Sequence, residues 1–213
     1  MQSPTPPTAS SVPARTSDVD PLVDDVPAPD SSWRPILWFL VIAVVGCALD
    51  LWTKSWVFGR LGMPLVQQGP QNPPIWLIDH VFGFETSLNE GALFGVGQGQ
   101  VVAFSALSIL AAVGILVWLV VARAARDLHL TISLAFVMAG ILGNLYDRVG
   151  MHHLTWAGGV RGHGAGERVY AVRDWLHFKI EAIGFDWPIF NLADACLVCG
   201  AILLVWHAIR QRN

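Results

Sequence analysis

Gly140–Gly150 reads GILGNLYDRVG: a long apolar run that ends in an amide, a carboxylate and a guanidinium. The run behind it, Leu128–Tyr146, is 19 residues without a charge. About 20 apolar residues cross the hydrocarbon core of a bilayer, so this segment predicts a transmembrane helix. Its last turn then carries Asn144, Asp147 and Arg148 at i, i+3 and i+4, on one helical face. Ionisable groups at such a place are costly and call for a partner or a task.

Three further runs have the same character. Pro35–Leu49 is charge-free and continues through Asp50 and Lys54 to about Phe58. Val101–Ala122 has 22 uncharged residues, and Phe190–Ile209 has 20 with one charge, Asp194. The composition agrees: 54% hydrophobic, 14% charged, mean hydropathy +0.50, against roughly 25% charge in soluble domains. Ten Trp against two Tyr suit a chain with much interfacial surface. The fold class expected is membrane α-helical, with spans at about 35–58, 101–122, 128–146 and 190–209.

Residues 1–32 differ in kind. They are rich in Pro, Ser, Thr and Asp and poor in large apolar groups, which predicts a disordered N-terminal tail ahead of a four-span domain, 33–213. The tail lacks the basic start and apolar core of a signal peptide. Between spans one and two, Ile75–Ile78 and Phe82–Thr86 read as strands after the turn-rich QQGPQNPP, predicting a small sheet on the membrane surface.

Basic residues near span ends set orientation. Arg34, then Arg123 and Arg126, then Arg210 and Arg212 fall on one side if the spans alternate. That side is expected to be cytoplasmic, with both termini, which leaves 59–100 and 147–189 extracytoplasmic. The polar residues then gather at one depth, the outer edge. Asp50 and Lys54 end span one, Asn144, Asp147 and Arg148 end span three, and Asn191 and Asp194 start span four. Asn89, Glu90 and Asp174 lie in the flanking loops. Lys54 and Arg148 have a bland reading, snorkelling to headgroups, and Asp50–Lys54 and Asp147–Arg148 have another, as structural ion pairs. Asp194 has no basic residue within a turn, which leaves a distant partner, protonation or catalysis.

Few catalytic devices fit. There is no G-x-S-x-G serine and no H-E-x-x-H. Cys47 and the C-x-x-C pair Cys196 and Cys199 lie in apolar runs without a nearby histidine and read as small packing residues. His152, His153, His163 and Glu167 share a glycine-rich loop read as floppy, whose spacing matches no common ligand set, so no metal and no cofactor are expected. Two carboxylates remain, Asp174 and Asp194. In a poorly solvated site two such groups cannot both ionise easily, so one keeps a proton. The ionised acid can then activate water while the protonated one polarises a peptide carbonyl.

At this point the motifs resemble a known family, lipoprotein signal peptidase, also called signal peptidase II. DLWTK (Asp50–Lys54) matches D-x-x-[ST]-K, NEGALF (Asn89–Phe94) matches N-x-G-A-x-F, and GNLYDR (Gly143–Arg148) matches G-N-x-x-D-R. VRDW (Val172–Trp175) is similar to V-x-D-F, and FNLAD (Phe190–Asp194) matches F-N-x-A-D. The boxes occur in the family's order over about residues 35–209. The resemblance implies that Asp174 and Asp194 form a catalytic dyad. It implies that Asn144, Arg148 and Asn191 line the site, with Asp50, Lys54, Asn89, Gly91 and Asp147 in support. It further implies a four-helix bundle with an extracytoplasmic β-cradle, in the bacterial cytoplasmic (inner) membrane. The expected activity is metal-independent aspartyl cleavage of diacylglyceryl-prolipoprotein just before its lipidated cysteine, inhibited by globomycin. Membrane lipid is an expected partner, nucleic acid is not, and a monomer is expected.

Three departures stand out. Leu93 replaces a common second alanine, Trp175 replaces the usual phenylalanine, and 25 residues separate Arg148 from Asp174 where the family usually has fewer than ten. Rival readings are weaker. A proton-coupled transporter would spread carboxylates over several depths. A presenilin-like protease would need a G-x-G-D after Tyr146-Asp147. An inactive lipoprotein-binding relative would be expected to lack one of the two acids.

Overall fold

The computed structural model describes residues 33–67, 71–91, 97, 99–121, 124–159 and 162–212. The tail 1–32 and Leu93 lie outside the described residues.

Among the described residues, four helices are long and apolar enough to cross a membrane: α1 (Arg34–Leu61), α2 (Val101–Val121), α3 (Leu128–Arg148) and α4 (Leu192–Arg210). They turn outward much apolar surface that water would penalise, including Val102, Leu110, Val120, Val121, Ile202 and Val205. A lipid-facing helix needs no polar face. α3 is the central helix and packs against all three others. Its contacts are made close by small residues. A side chain at Gly46 of α1 would press on Ala139, at 2.8 Å from its Cβ, and one at Gly200 of α4 on Val137 Cγ2, at 2.6 Å. Small residues let membrane helices approach closely enough to gain dispersion contact that apolar burial alone does not give them. Phe39, Ala43, Ile115, Leu119, Leu134, Ala135 and Met138 fill the interior of the bundle.

Helix ends follow local chemistry. Asp127 caps α3 by accepting from Leu130 N at 3.0 Å. α1 stops at Gly62, whose φ of 69° suits a residue without Cβ. The Gly62 carbonyl then accepts from Thr86 Oγ1 at 2.6 Å, which ties the helix end to the sheet.

That sheet has four antiparallel strands in the order β1 (Ile75–Ile78), β2 (Phe82–Asn89), β3 (Val172–Ile180) and β4 (Phe185–Phe190). Only the first hairpin is legible as strands from its pattern. β3 is buried on both faces from Val172 to Trp175, so it lacks the alternation that marks a half-buried strand. β4 takes up Phe190, and α4 starts at Leu192 rather than at residue 190.

A second apolar core lies between the end of α1 and the sheet: Val57, Phe58, Leu61, Met63, Val66, Leu88, Trp156, Val169, Ala171 and Trp175. Three of these, Trp156, Val169 and Ala171, come from the glycine- and histidine-bearing segment between Arg148 and Asp174, so the expectation of a floppy loop is corrected. Its backbone pairs with itself, Val169 N to Leu154 O at 2.9 Å and Trp156 N to Glu167 O at 2.8 Å. It also pairs with the stretch after α1, Gln67 N to Thr155 O at 3.0 Å and Ala157 N to Leu65 O at 3.1 Å. Burial of one large indole, Trp156, fixes what its glycines would otherwise leave loose.

Candidate active site

The polar residues of α1, α3 and α4 meet where those helices abut the sheet. The glycines of GILGNLYDRVG make the meeting possible. A Cβ on Gly140 would collide with the Ala193 carbonyl oxygen, and one on Gly143 with Asp50 Oδ2. Without those side chains the first turn of α4 and the carboxylate of Asp50 sit directly against α3.

One group of residues is an ion cluster. Lys54 Nζ lies 2.7 Å from Asp50 Oδ2 and 3.2 Å from Asp147 Oδ2, with all three side chains 0% exposed, and donates to Asn144 Oδ1 at 3.0 Å. All three ammonium protons are thereby used. Asp50 Oδ1 accepts from Ala193 N at 2.8 Å, which holds the start of α4. Asp147 pairs with Lys54 and Arg173, not with its neighbour Arg148. Arg173 Nε and an η-nitrogen donate to Asp147 Oδ1 at 3.0 and 2.9 Å, and the Arg173 backbone N–H donates to Oδ2 at 2.9 Å.

The second group surrounds the two candidate acids. Asn191 is the N-cap of α4 and forms a reciprocal box with Asp194: Asp194 N donates to Asn191 Oδ1 at 2.9 Å, and Asn191 N donates to Asp194 Oδ2 at 3.1 Å. Asp194 is therefore in the first helical turn, nearer the helix start than the sequence suggests, because the cap and not Phe190 begins the helix. The Asn191 amide reaches the other way, Nδ2 to Asp174 Oδ1 at 2.6 Å and to Asn144 Oδ1 at 3.1 Å. Asn144 Nδ2 donates to Asp194 Oδ1 at 2.8 Å. Asn191 thus bridges the two acids, and Asn144 joins the acid group to Lys54.

Asp174 is buried on β3, opposite Ser87 of β2, and also receives a hydrogen bond from the Asn89 side chain. Burial pushes its carboxyl well above the usual carboxylate range, and the negative charge of Asp194 adds to that. Lys54, Asn191 and Asn89 oppose the shift without cancelling it. Asp194 and Arg148 are only partly buried, so the site opens on their side. Arg148 donates to the Gly91 carbonyl at 3.2 Å and lies over the Phe104 ring at 5.6 Å, within electrostatic reach of Asp174 and Asp194. Gly91 N donates to Asn89 Oδ1 at 3.0 Å, closing a tight turn.

All ten residues singled out in the sequence lie in these two groups or on the Asn89–Gly91 turn. Arg173 escapes sequence reading, although an arginine inside VRDW between buried positions is a signal of a buried partner. Trp175 points to the opposite face of β3 from Asp174 and packs against Phe84, ring centroids 5.1 Å apart. The loop histidines engage different partners. His152 faces the Ala171 carbonyl and Leu154 N, and burial lowers its pKa to about 4. His153 meets Arg168, and His163 meets Glu90.

The chain matches the family model described as Signal peptidase (SPase) II over residues 42–210. It is 41% identical over 167 residues to the lipoprotein signal peptidase of Rhodopirellula baltica, covering 78% of this chain and 69% of that one. It is 33% identical over 190 residues to that of Rhodococcus jostii, covering 89% and 80%. A bacterial membrane enzyme solved by the in meso method at 2.3 Å superposes with a TM-score of 0.63 at 25% identity, covering 84% of this chain and 91% of that one. Matched over both its helices and its polar motifs, the chain belongs to the signal peptidase II family.

Proposed function

We propose that this protein is a membrane aspartyl endopeptidase that removes the signal peptide from diacylglyceryl-modified prolipoproteins, cutting before the lipidated cysteine. The observation that carries the reading is Asn191, whose side-chain amide donates to Asp174 Oδ1 on the sheet while its backbone N–H donates to Asp194 Oδ2 on α4. Two acids from distant parts of the chain are thus held by one residue at the border of the spans.

The roles follow from the surroundings. Asp174, buried and beside a second acid, holds the proton. Asp194 sits in the first turn of α4, where the helix N-terminus and two N–H donors favour negative charge. Asp194 takes a proton from water as the water oxygen attacks the scissile carbonyl carbon. Asp174 hydrogen-bonds the carbonyl oxygen, and Arg148 offsets the charge that develops there. The tetrahedral centre then collapses. The C–N bond breaks, the cysteine nitrogen leaves with the proton taken from water, and the signal peptide ends in a carboxyl group. A lipidated cysteine is anchored at the bilayer surface, so its peptide reaches a site at a helix end without leaving the membrane. Two carboxylates suffice for this cycle, which makes it metal-independent.

The end of the bundle opposite the site carries Arg126 and Arg210, and there His207 of α4 approaches Asp127 of α3 at 3.4 Å. By the excess of cations in cytoplasmic loops, that end faces the cytoplasm with both termini. The site faces outward, in a bacterial cytoplasmic membrane. The protein acts as a monomer, with lipid as its other partner.

The test is cleavage of a diacylglyceryl-prolipoprotein in lipid. Asp174→Asn and Asp194→Asn each lower kcat by roughly 100- to 10,000-fold, the range for losing one acid–base group, with helical content unchanged. Globomycin inhibits the wild type and EDTA does not. Full turnover by both variants refutes the dyad, and a loss in EDTA that zinc restores moves the chemistry elsewhere.

A further inference from the structure

The segment between Arg148 and Asp174 is 25 residues long, and one of its residues reaches the site's edge. The His163 ring stacks flat on Trp156, centroids 4.6 Å apart and planes 2° from parallel. Trp156 is itself fully buried in the core under the sheet. From that platform His163 Nε2 meets Glu90 Oε1 at 2.8 Å. Glu90 lies between two residues that touch the site, Asn89, which bonds Asp174, and Gly91, whose carbonyl holds Arg148. We propose that His163 is a positioning residue for peptide cleavage. Through Glu90 it holds the Asn89–Gly91 turn against Asp174 and Arg148, which gives the segment between Arg148 and Asp174 a part in turnover.

An exposed ion pair between mobile side chains contributes little, because ordering both costs entropy. This pair differs. The Glu90 side chain is only 12% exposed, and stacking fixes the imidazole before the bond forms. The second ring nitrogen faces Glu167 at 3.4 Å, and Glu167 is itself 58% exposed, so the link to Glu90 is the one that reaches inward. The inference rests on the peptidase reading for its kinetic part only.

The experiment uses the full chain in lipid with a diacylglyceryl-prolipoprotein. His163→Phe keeps a ring on Trp156 and removes the hydrogen bond. It lowers kcat roughly tenfold, as small misplacements of catalytic groups do, with KM and unfolding temperature unchanged. Glu90→Ala falls alike, whereas Glu90→Gln, which still accepts from the ring, retains most of the rate. In an Asn89→Ala background His163→Phe has no further effect, because the two act through one turn. A wild-type kcat in His163→Phe, or an equal fall in the Asn89→Ala background, overturns the proposal. Hydrogen exchange at the Gly91 amide supplies a readout that needs no turnover. It speeds up in His163→Phe whatever the substrate, and an unchanged rate overturns the positioning role even if the peptidase assignment stands.

Discussion

Two polar clusters lie side by side at one end of the bundle, sharing Asn144. In the first, Asp50 and Asp147 face Lys54 and Arg173, two negative charges against two positive. Every ammonium proton of Lys54 has a partner, and the carboxylates take backbone N–H bonds besides. In the second, Asp174 and Asp194 face one cation, Arg148, and are joined by neutral amides. One proton on the acid pair would neutralise it. A saturated, neutral cluster fixes helices against each other. A cluster one charge short is suited to hold a proton, as the proposed cycle requires. On the proposed reading, the same residue types divide into scaffold and chemistry by their partners.

That division is open to attack. Lys54→Met has the largest expected effect on folding. It leaves Asp50 buried without a cation and Asp147 with Arg173 alone, which costs about 3–5 kcal/mol and shows as a fall in unfolding midpoint in detergent. Asp194→Asn, by contrast, lowers kcat by roughly 100- to 10,000-fold and leaves that midpoint near the wild type. If the two variants exchange phenotypes, the scaffold is the second cluster.

Arg173→Gln sharpens the comparison, because Asp147 keeps Lys54 and the backbone N–H of residue 173. Its cost is roughly 2 kcal/mol, the scale for hydrogen bonds to a charged group. It also lowers kcat, since residue 173 precedes Asp174 on β3. Thermal unfolding and cleavage rate, measured together, check this. An unchanged kcat would detach Arg173 from the acid pair.

The smallest expected effect is a pH slope. The folded Asp174 carboxyl titrates above its unfolded value of about 4. Between those points the folded chain binds the extra proton, so stability falls as pH rises through that window. Asp174→Asn removes this penalty. The unfolding temperature of the variant relative to wild type therefore climbs as pH rises above about 4 and is flat below it. A difference independent of pH would mean that burial and Asp194 do not load Asp174 with a proton.

Much of this was legible beforehand. The four apolar runs fixed the spans because hydrocarbon demands internally bonded backbone. The i, i+3, i+4 spacing of Asn144, Asp147 and Arg148 put them on one face. The pairing within that face was not legible. Asp147–Arg148 reads as an ion pair, yet the carboxylate turns to Lys54 and Arg173 while Arg148 turns to Gly91. Adjacent helical residues point about 100° apart, and only the arrival of α1 and β3 shows which finds a partner.

The sequence by itself determined that the chain crosses a membrane four times with its polar residues at one depth, because periodicity and transfer energy act locally along each segment. The tertiary structure alone decided that Asp174 lies across Asn191 from Asp194, that Arg173 anchors the strand beside them, and that the segment between Arg148 and Asp174 docks through its own Trp156. Those outcomes depend on residues far apart in sequence, and their contacts exist only once glycines at 140 and 143 let α1, α3 and α4 close.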